Sequence, residues 1–508
     1  MIRKGSEIRL NVRPVFVGFI HEYFYEGPCR FGKGDSLTPE YDRIMAQSLY
    51  KEFQQEVKAN MPEGVNLLDA IYVERTDSWD TKEEMFEKMA QDIENVDLYI
   101  FGTGIGRIDI LIEFAQRYRK PLIVQPTLYC QPLIASAAIS NRDLEVYAFL
   151  DWGDVATQLR VLRVRKVLQK TNMLLCTRFN STNAFSANDS FFNLEDVKNR
   201  LGVKFRYINV HELLDQMRFA SPEGNHTTPG RVTPNLTQAE LDEANRLADE
   251  LLAGADSPQI EREYLVNSLI AYVTVKKNLD LYDCNAFTVP CPDVCSTRRI
   301  NEMKFTFCLT HSLLNEEGIP SSCEYDINSA LSMMVLTNIS GNAPYMGNTS
   351  PVVLENGRPR RLDRFDEHDL AGLEDITNLY YTLHSVANRK LKGINEKAGN
   401  YNLRHFAYEQ GFGAIFRYDF KQDVGQPITM ARFSPNMKKM FIARGEIVGG
   451  GGYDSDNCNG YVLFRVASQK EFYKKQSYFG NHIPLVYGDY FEELIRLAES
   501  LDIEPVCI

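Results

Sequence analysis

The chain has 508 residues, too many for one hydrophobic core, and its length alone suggests two to four domains. Its 44% hydrophobic and 24% charged residues are those of an ordinary globular protein, and a formal net charge of -12 argues against a general nucleic-acid binder, which presents a basic face. The start, Met1-Ile-Arg-Lys-Gly-Ser-Glu7, lacks the apolar stretch of a secretory leader, and no run approaches the roughly 20 apolar residues of a membrane span, so a cytoplasmic location and no membrane partner are expected.

In chain order, Pro14-Val-Phe-Val-Gly-Phe-Ile20 reads as a buried strand. A helix follows over 39–59, then a strand beginning at Leu67 and a charged helix over 81–94. A third strand begins at Val96, a helix covers 108–118, and a fourth strand begins at Pro121. Strands alternating with helices predict a doubly wound parallel sheet, here a domain over 1–165. A second α/β unit over 166–330 has strands at Asn172 and Lys204, a helix over 193–201 stopped by Gly202, and helices near 237–254 and 258–279. From 331 to 508, short β-rich segments such as Ile415-Phe-Arg-Tyr-Asp-Phe420 and Pro427-Ile-Thr-Met-Ala-Arg-Phe433 predict a β-rich domain closed by a helix near 490–501. The fold class expected is α/β: two doubly wound parallel-sheet units followed by a β-rich C-terminal domain.

Several motifs carry less than they first suggest. Glycines at 102, 104 and 106 are followed by Arg107 where a dinucleotide loop needs glycine, so no nucleotide cofactor is expected. Gly449 to Gly452 lacks the Lys-Ser/Thr of a phosphate loop and reads as a surface turn. The ten cysteines are too sparse for a disulfide scaffold and read as reduced thiols, and Cys291 and Cys295 have no second pair at zinc-finger spacing.

Two stretches are informative. In Cys323-Glu324-Tyr-Asp326, two carboxylates precede an apolar helix over 329–339, where they can serve as caps or as reacting groups. In Gly480-Asn-His482-Ile-Pro-Leu-Val, a histidine opens an apolar strand, and His384 stands similarly after Tyr380-Tyr-Thr-Leu383.

These residues together resemble the L-fucose/L-arabinose isomerase superfamily. Its members carry a Cys-Glu-x-Asp-like element, an Asp that follows the Glu by 24 positions, and a late Gly/Asn-His segment before a closing helix; here Glu324, position 348 and Asn481-His482 match. The resemblance implies an aldose–ketose isomerase working through a cis-enediol, with a divalent metal, usually Mn2+, held by Glu324, residue 348 and His482. Position 348 is Asn, which can ligate a hard cation through its amide oxygen but cannot ionise. Proton transfer is then expected from Glu324, with Asp326 the nearest second carboxylate, or a helix cap and orienter. Substrate contacts are expected from His21, Glu26, Arg30 and His384, and a homo-oligomer with active sites near subunit interfaces is implied. The substrate expected is a hexose, a 6-deoxyhexose or an anionic 6-substituted hexose such as sulfoquinovose. An epimerase, or a sugar-binding homologue that has lost catalysis, is the alternative.

Overall fold

The structure is a computed structural model. It describes residues 2–24, 32–76, 83–103, 108–126, 130–177, 188–191, 193–218, 235–356, 358–360, 369–370, 372–373, 375–407, 409, 411–455 and 460–508. The chain separates into two units, Ile8–Arg163, and Met1–Glu7 with Val164–Ile508.

The Ile8–Arg163 unit is built on a six-stranded parallel sheet. Leu10–Ile20 pairs on one side with Val65–Leu67 and then Ile71–Thr76, and on the other with Leu98–Thr103, followed by Leu122–Val124 and Val146–Ala148. Counting the two collinear short strands as one, the order is 2-1-3-4-5, in which the strand order reverses beside Leu10–Ile20. Val12, Val15, Phe16 and Val17 are buried, as expected of a strand covered on both faces. The helix Pro39–Ala59 matches its expected span, opened by Thr38, whose hydroxyl accepts from Tyr41 N–H, and by Pro39 at the first position. The helices Gln131–Ser140 and Trp152–Gln169 and the strand Val146–Ala148 were not marked by the sequence pattern.

Among the described residues the second unit contains two larger sheets and two antiparallel strand pairs, Leu354–Glu355 with Arg358–Pro359 and Tyr401–His405 with Ala414–Tyr418. Its parallel sheet has the order Ser321–Ser322, Ala286–Thr288, Asn172–Thr177, Lys204–Asn209. Its seven-stranded sheet runs Asn348–Pro351, Leu379–Leu383, Tyr461–Arg465, Lys439–Gly451, Pro427–Phe433, Leu485–Tyr487, with Glu504–Cys507 added in parallel beside Lys439–Gly451. The helix Ile327–Ser340 joins them. Nearly every residue of it is buried, which explains its apolar composition on all faces. Asn328 Nδ2 donates to Phe433 O at 3.0 Å, and Phe433 N–H donates to Ser332 Oγ at 3.2 Å, pinning the helix to a central strand.

One sequence expectation is corrected. Gly449, Gly450 and Gly451 are not a surface turn but lie in the strand Lys439–Gly451, opposite Leu463, Val462 and Tyr461. A Cβ at Gly450 would stand 2.6 Å from Phe420 Cβ, so the glycine permits close packing on a paired strand. The eight described cysteines are free thiols, five of them buried. No helix among the described residues is long and apolar enough to cross a membrane.

Candidate functional site

The edge strand Ser321–Ser322 of the parallel sheet leads directly into the Cys323-Glu324-Tyr325-Asp326 turn. Glu324 and Tyr325 both take left-handed backbone, with φ of 63° and 61°. Such a conformation costs a non-glycine residue about 1–3 kcal/mol and persists only where the surroundings enforce it. Here Tyr325 N–H donates to Val289 O at 3.0 Å, Asp326 N–H to Cys323 O at 3.2 Å, and Ser322 Oγ to Asp326 O at 2.7 Å. The turn aims Glu324 one way and returns Asp326 to the helix start.

Asp326 is the N-cap of Ile327–Ser340. Its Oδ1 accepts from Ser329 N–H at 2.9 Å, and its Oδ2 accepts from Ser329 Oγ at 2.9 Å and from Arg432 at 2.7 Å. The same Oδ2 lies 3.0 Å from His482 Nδ1. Arg432 also donates to the carbonyls of His482 at 2.8 Å and Phe479 at 2.7 Å. Burial by itself raises a carboxyl, but the Arg432 charge and the His482 bond outweigh it and hold Asp326 well below the usual carboxylate range. An ionised Asp326 only accepts, so His482 donates from Nδ1 and turns Nε2 away from it. That Nε2 is buried, makes no hydrogen bond among the described residues, and lies 3.7 Å from Glu324 Oε2.

His384, immediately beyond the strand Leu379–Leu383, brings its Nε2 to 3.4 Å from Glu324 Oε1, and its ring meets that of His482 edge-on at 5.5 Å. Glu324 therefore has one imidazole facing each carboxylate oxygen. It keeps 23% of its side chain exposed, against 5% for His384, 3% for His482 and none for Asp326 or Arg432, so it is the member an incoming molecule reaches. Burial pushes Glu324 up, but the two imidazoles outweigh that and leave it below its ordinary value. Burial pulls His482 down, and the Asp326 carboxylate more than reverses it.

Asn348 is brought beside His482 by the backbone: it pairs with Leu383 across the sheet and forms an isolated antiparallel bridge with His482. Its Oδ1 accepts from Asn481 Nδ2. His21 lies in the other unit, just past the strand Leu10–Ile20, where its Nδ1 stands 2.9 Å from Asp42 Oδ2. Glu26 and Arg30 lie outside the described residues.

The site fits a divalent cation on two observations. His482 offers a buried nitrogen without a hydrogen bond, held from behind by a carboxylate in the manner of a ligating imidazole. Cys323 Sγ, a Glu324 carboxylate oxygen and a His384 ring nitrogen also lie within 4.8 Å of one another. Arg432, Ser329 and Asp189, which accepts from Asn481 N–H at 2.8 Å, complete the supporting layer and were missed in the sequence. The available signal was a lone arginine at an inward position of the apolar strand Pro427–Phe433.

Fold and site together define an α/β protein with a carboxylate–imidazole centre at the carboxyl end of a parallel strand. No family model matches the chain. It is similar to the sulfoquinovose isomerases of Priestia aryabhattai and Priestia megaterium, each 24% identical over 362 residues, covering 68% of this chain and 66% of the relative. The match thus spans just under two thirds of those relatives' length. A shorter match, 47% identical over 57 residues, covers 11% of this chain and 13% of the sulfoquinovose isomerase of Alkalicoccus urumqiensis.

Proposed function

We propose that this chain is a sugar isomerase that interconverts an aldose and a ketose, and that its substrate is an anionic 6-substituted hexose of the sulfoquinovose type. The names of the relatives support the reaction class and the substrate. The observation that carries the reading is Glu324 standing between His384 at 3.4 Å and His482 at 3.7 Å on a strained turn.

In this reading Glu324, ionised at neutral pH, takes the proton from C2 of the aldose and returns it to C1 of the cis-enediol. Acid–base transfer of this kind contributes on the order of 10²–10⁴-fold. His384, within reach of the same carboxylate, moves the proton between the two sugar oxygens. Asp326 is given a positioning role in place of the catalytic one expected from sequence, because burial and its bonds to Arg432, Ser329 and His482 keep it from the substrate and from protonation. Glu324 and His482, with Asn348 as a neutral oxygen donor, would hold a divalent cation such as Mn2+. When bound it supplies Lewis-acid polarisation of the carbonyl and stabilises enediolate charge. A homo-oligomer, with His21 and Arg30 contributing substrate contacts, belongs to the same proposal.

The test is incubation with sulfoquinovose and with neutral aldoses in D2O, followed by NMR. Ketose formation with deuterium entering C1 or C2 is expected, faster for the anionic sugar. A C2 epimer alone, or binding without turnover, overturns the isomerase reading.

A further inference from the structure

The residue before Glu324 belongs to a second cluster, made of sulfur and nitrogen donors. Cys291 Sγ, a ring nitrogen of His311 and Cys323 Sγ all lie within 4.8 Å of one another, and all three residues are buried. Cys291 Sγ is 3.7 Å from His311 Nε2. In tetrahedral zinc sites, bonds of about 2.3 Å to sulfur and about 2.0–2.1 Å to nitrogen place neighbouring ligands roughly 3.5–3.8 Å apart, the spacing at which Cys291 Sγ and His311 Nε2 stand.

Three separate parts of the chain build it. Cys291 opens the short helix that follows the strand Ala286–Thr288, and Cys323 follows the adjacent strand Ser321–Ser322, paired with it through Ser321 and Phe287. His311 comes from the helix Cys308–Glu316. Its ring lies against Phe287, with centroids 5.8 Å apart, and its Nδ1 is 2.7 Å from Ser321 Oγ. That hydroxyl occupies one ring nitrogen and leaves the other facing Cys291, the outer-layer arrangement that fixes ligating histidines.

We propose that Cys291, His311 and Cys323 form a site for zinc, which adjoins the Glu324–His482 centre through Cys323 but does not rest on the sugar-isomerase reading. On binding, the two thiols release their protons to solvent, and two thiolates with one neutral imidazole around Zn2+ carry no net charge. A neutral assembly is the form in which a cation can sit in a buried core. Because Cys323 precedes Glu324, the cation would anchor the strained turn that aims the partly exposed Glu324 carboxylate.

Two measurements test this. Full-length protein from zinc-supplemented growth is reduced, passed through buffer containing the weak oxygen-donor chelator citrate, and analysed for zinc by mass spectrometry. Metal-free protein is titrated with Co2+, and its absorption spectrum recorded. The expected result is one zinc per chain, kept in Glu324→Gln and His482→Gln and lost in Cys291→Ala and His311→Ala, with thiolate-to-cobalt charge-transfer bands in the wild type. Reduced, folded wild type that holds no zinc and gives no such bands overturns the proposal. So does zinc that is lost with Glu324→Gln but retained in Cys291→Ala. Should the cysteine variant fail to fold, the wild-type cobalt spectrum decides alone.

Discussion

Asp326 and Arg432, 106 residues apart, meet at 2.7 Å with neither side chain open to solvent. The oxygen that receives Arg432 also lies 3.0 Å from His482 Nδ1, so one buried ion pair fixes the ring that faces Glu324. Burying a charge is unfavourable unless it is paired, and removing one partner strands the other.

Arg432→Met should therefore destabilise the protein by about 3–5 kcal/mol. Urea unfolding of Arg432→Met, Asp326→Asn and the double variant checks this, with the double variant less destabilised than the sum of the singles. Additive effects would mean that the two charges do not depend on each other. Turnover by any folded single variant should also fall, because His482 loses its orientation.

Glu324→Gln should leave the fold intact and reduce turnover at least roughly 10²-fold, since the amide cannot take up a proton at carbon. Thermal unfolding and steady-state assays on the same sample separate the two effects. Unchanged turnover in a folded variant would reduce Glu324 to a turn residue.

Asn348→Asp should be tolerated structurally, because a carboxylate oxygen can still accept from Asn481 Nδ2. Divalent-metal affinity, read by calorimetry, should rise with the added anionic oxygen. Affinity for a sulfonated hexose should fall relative to a neutral one through like-charge repulsion. Unchanged metal affinity and unchanged sugar preference would place residue 348 outside the site.

Acid stability should carry the mark of His311, which burial holds down to about 3 from an ordinary value of 6.5. Between those values the unfolded chain binds a proton that the folded chain does not. Stability therefore falls as pH drops below 6.5, by up to roughly 1.4 kcal/mol per pH unit, and the slope from this group ends near 3. Urea unfolding of metal-stripped protein across this range should show a shallower acid slope in His311→Gln than in the wild type. Equal slopes would mean that His311 takes up its proton in the folded state.

Much of the architecture was legible in the residues. Thr38-Pro39 and the apolar spacing behind it set the helix Pro39–Ala59, and Gly202, in left-handed backbone, stopped Leu194–Leu201 as expected. Helix stops, caps and buried strands depend on neighbours within a few positions, so local sequence records them. The four-glycine run misled for the complementary reason: whether glycine marks a turn or a close approach depends on what lies opposite, here Phe420.

By itself the sequence determined the alternation of strands and helices, the carboxylate turn at Glu324 and Asp326, and the two histidines worth watching. Only the tertiary structure decided their roles. It gave Asp326 to Arg432, set His384 and His482 on either side of Glu324, and gathered Cys291, His311 and Cys323 from three separate elements. The physical reason is that a buried charge or donor is defined by the partner that compensates it. Arg432 and Asp326 find each other across 106 residues, a separation at which no local pattern carries information.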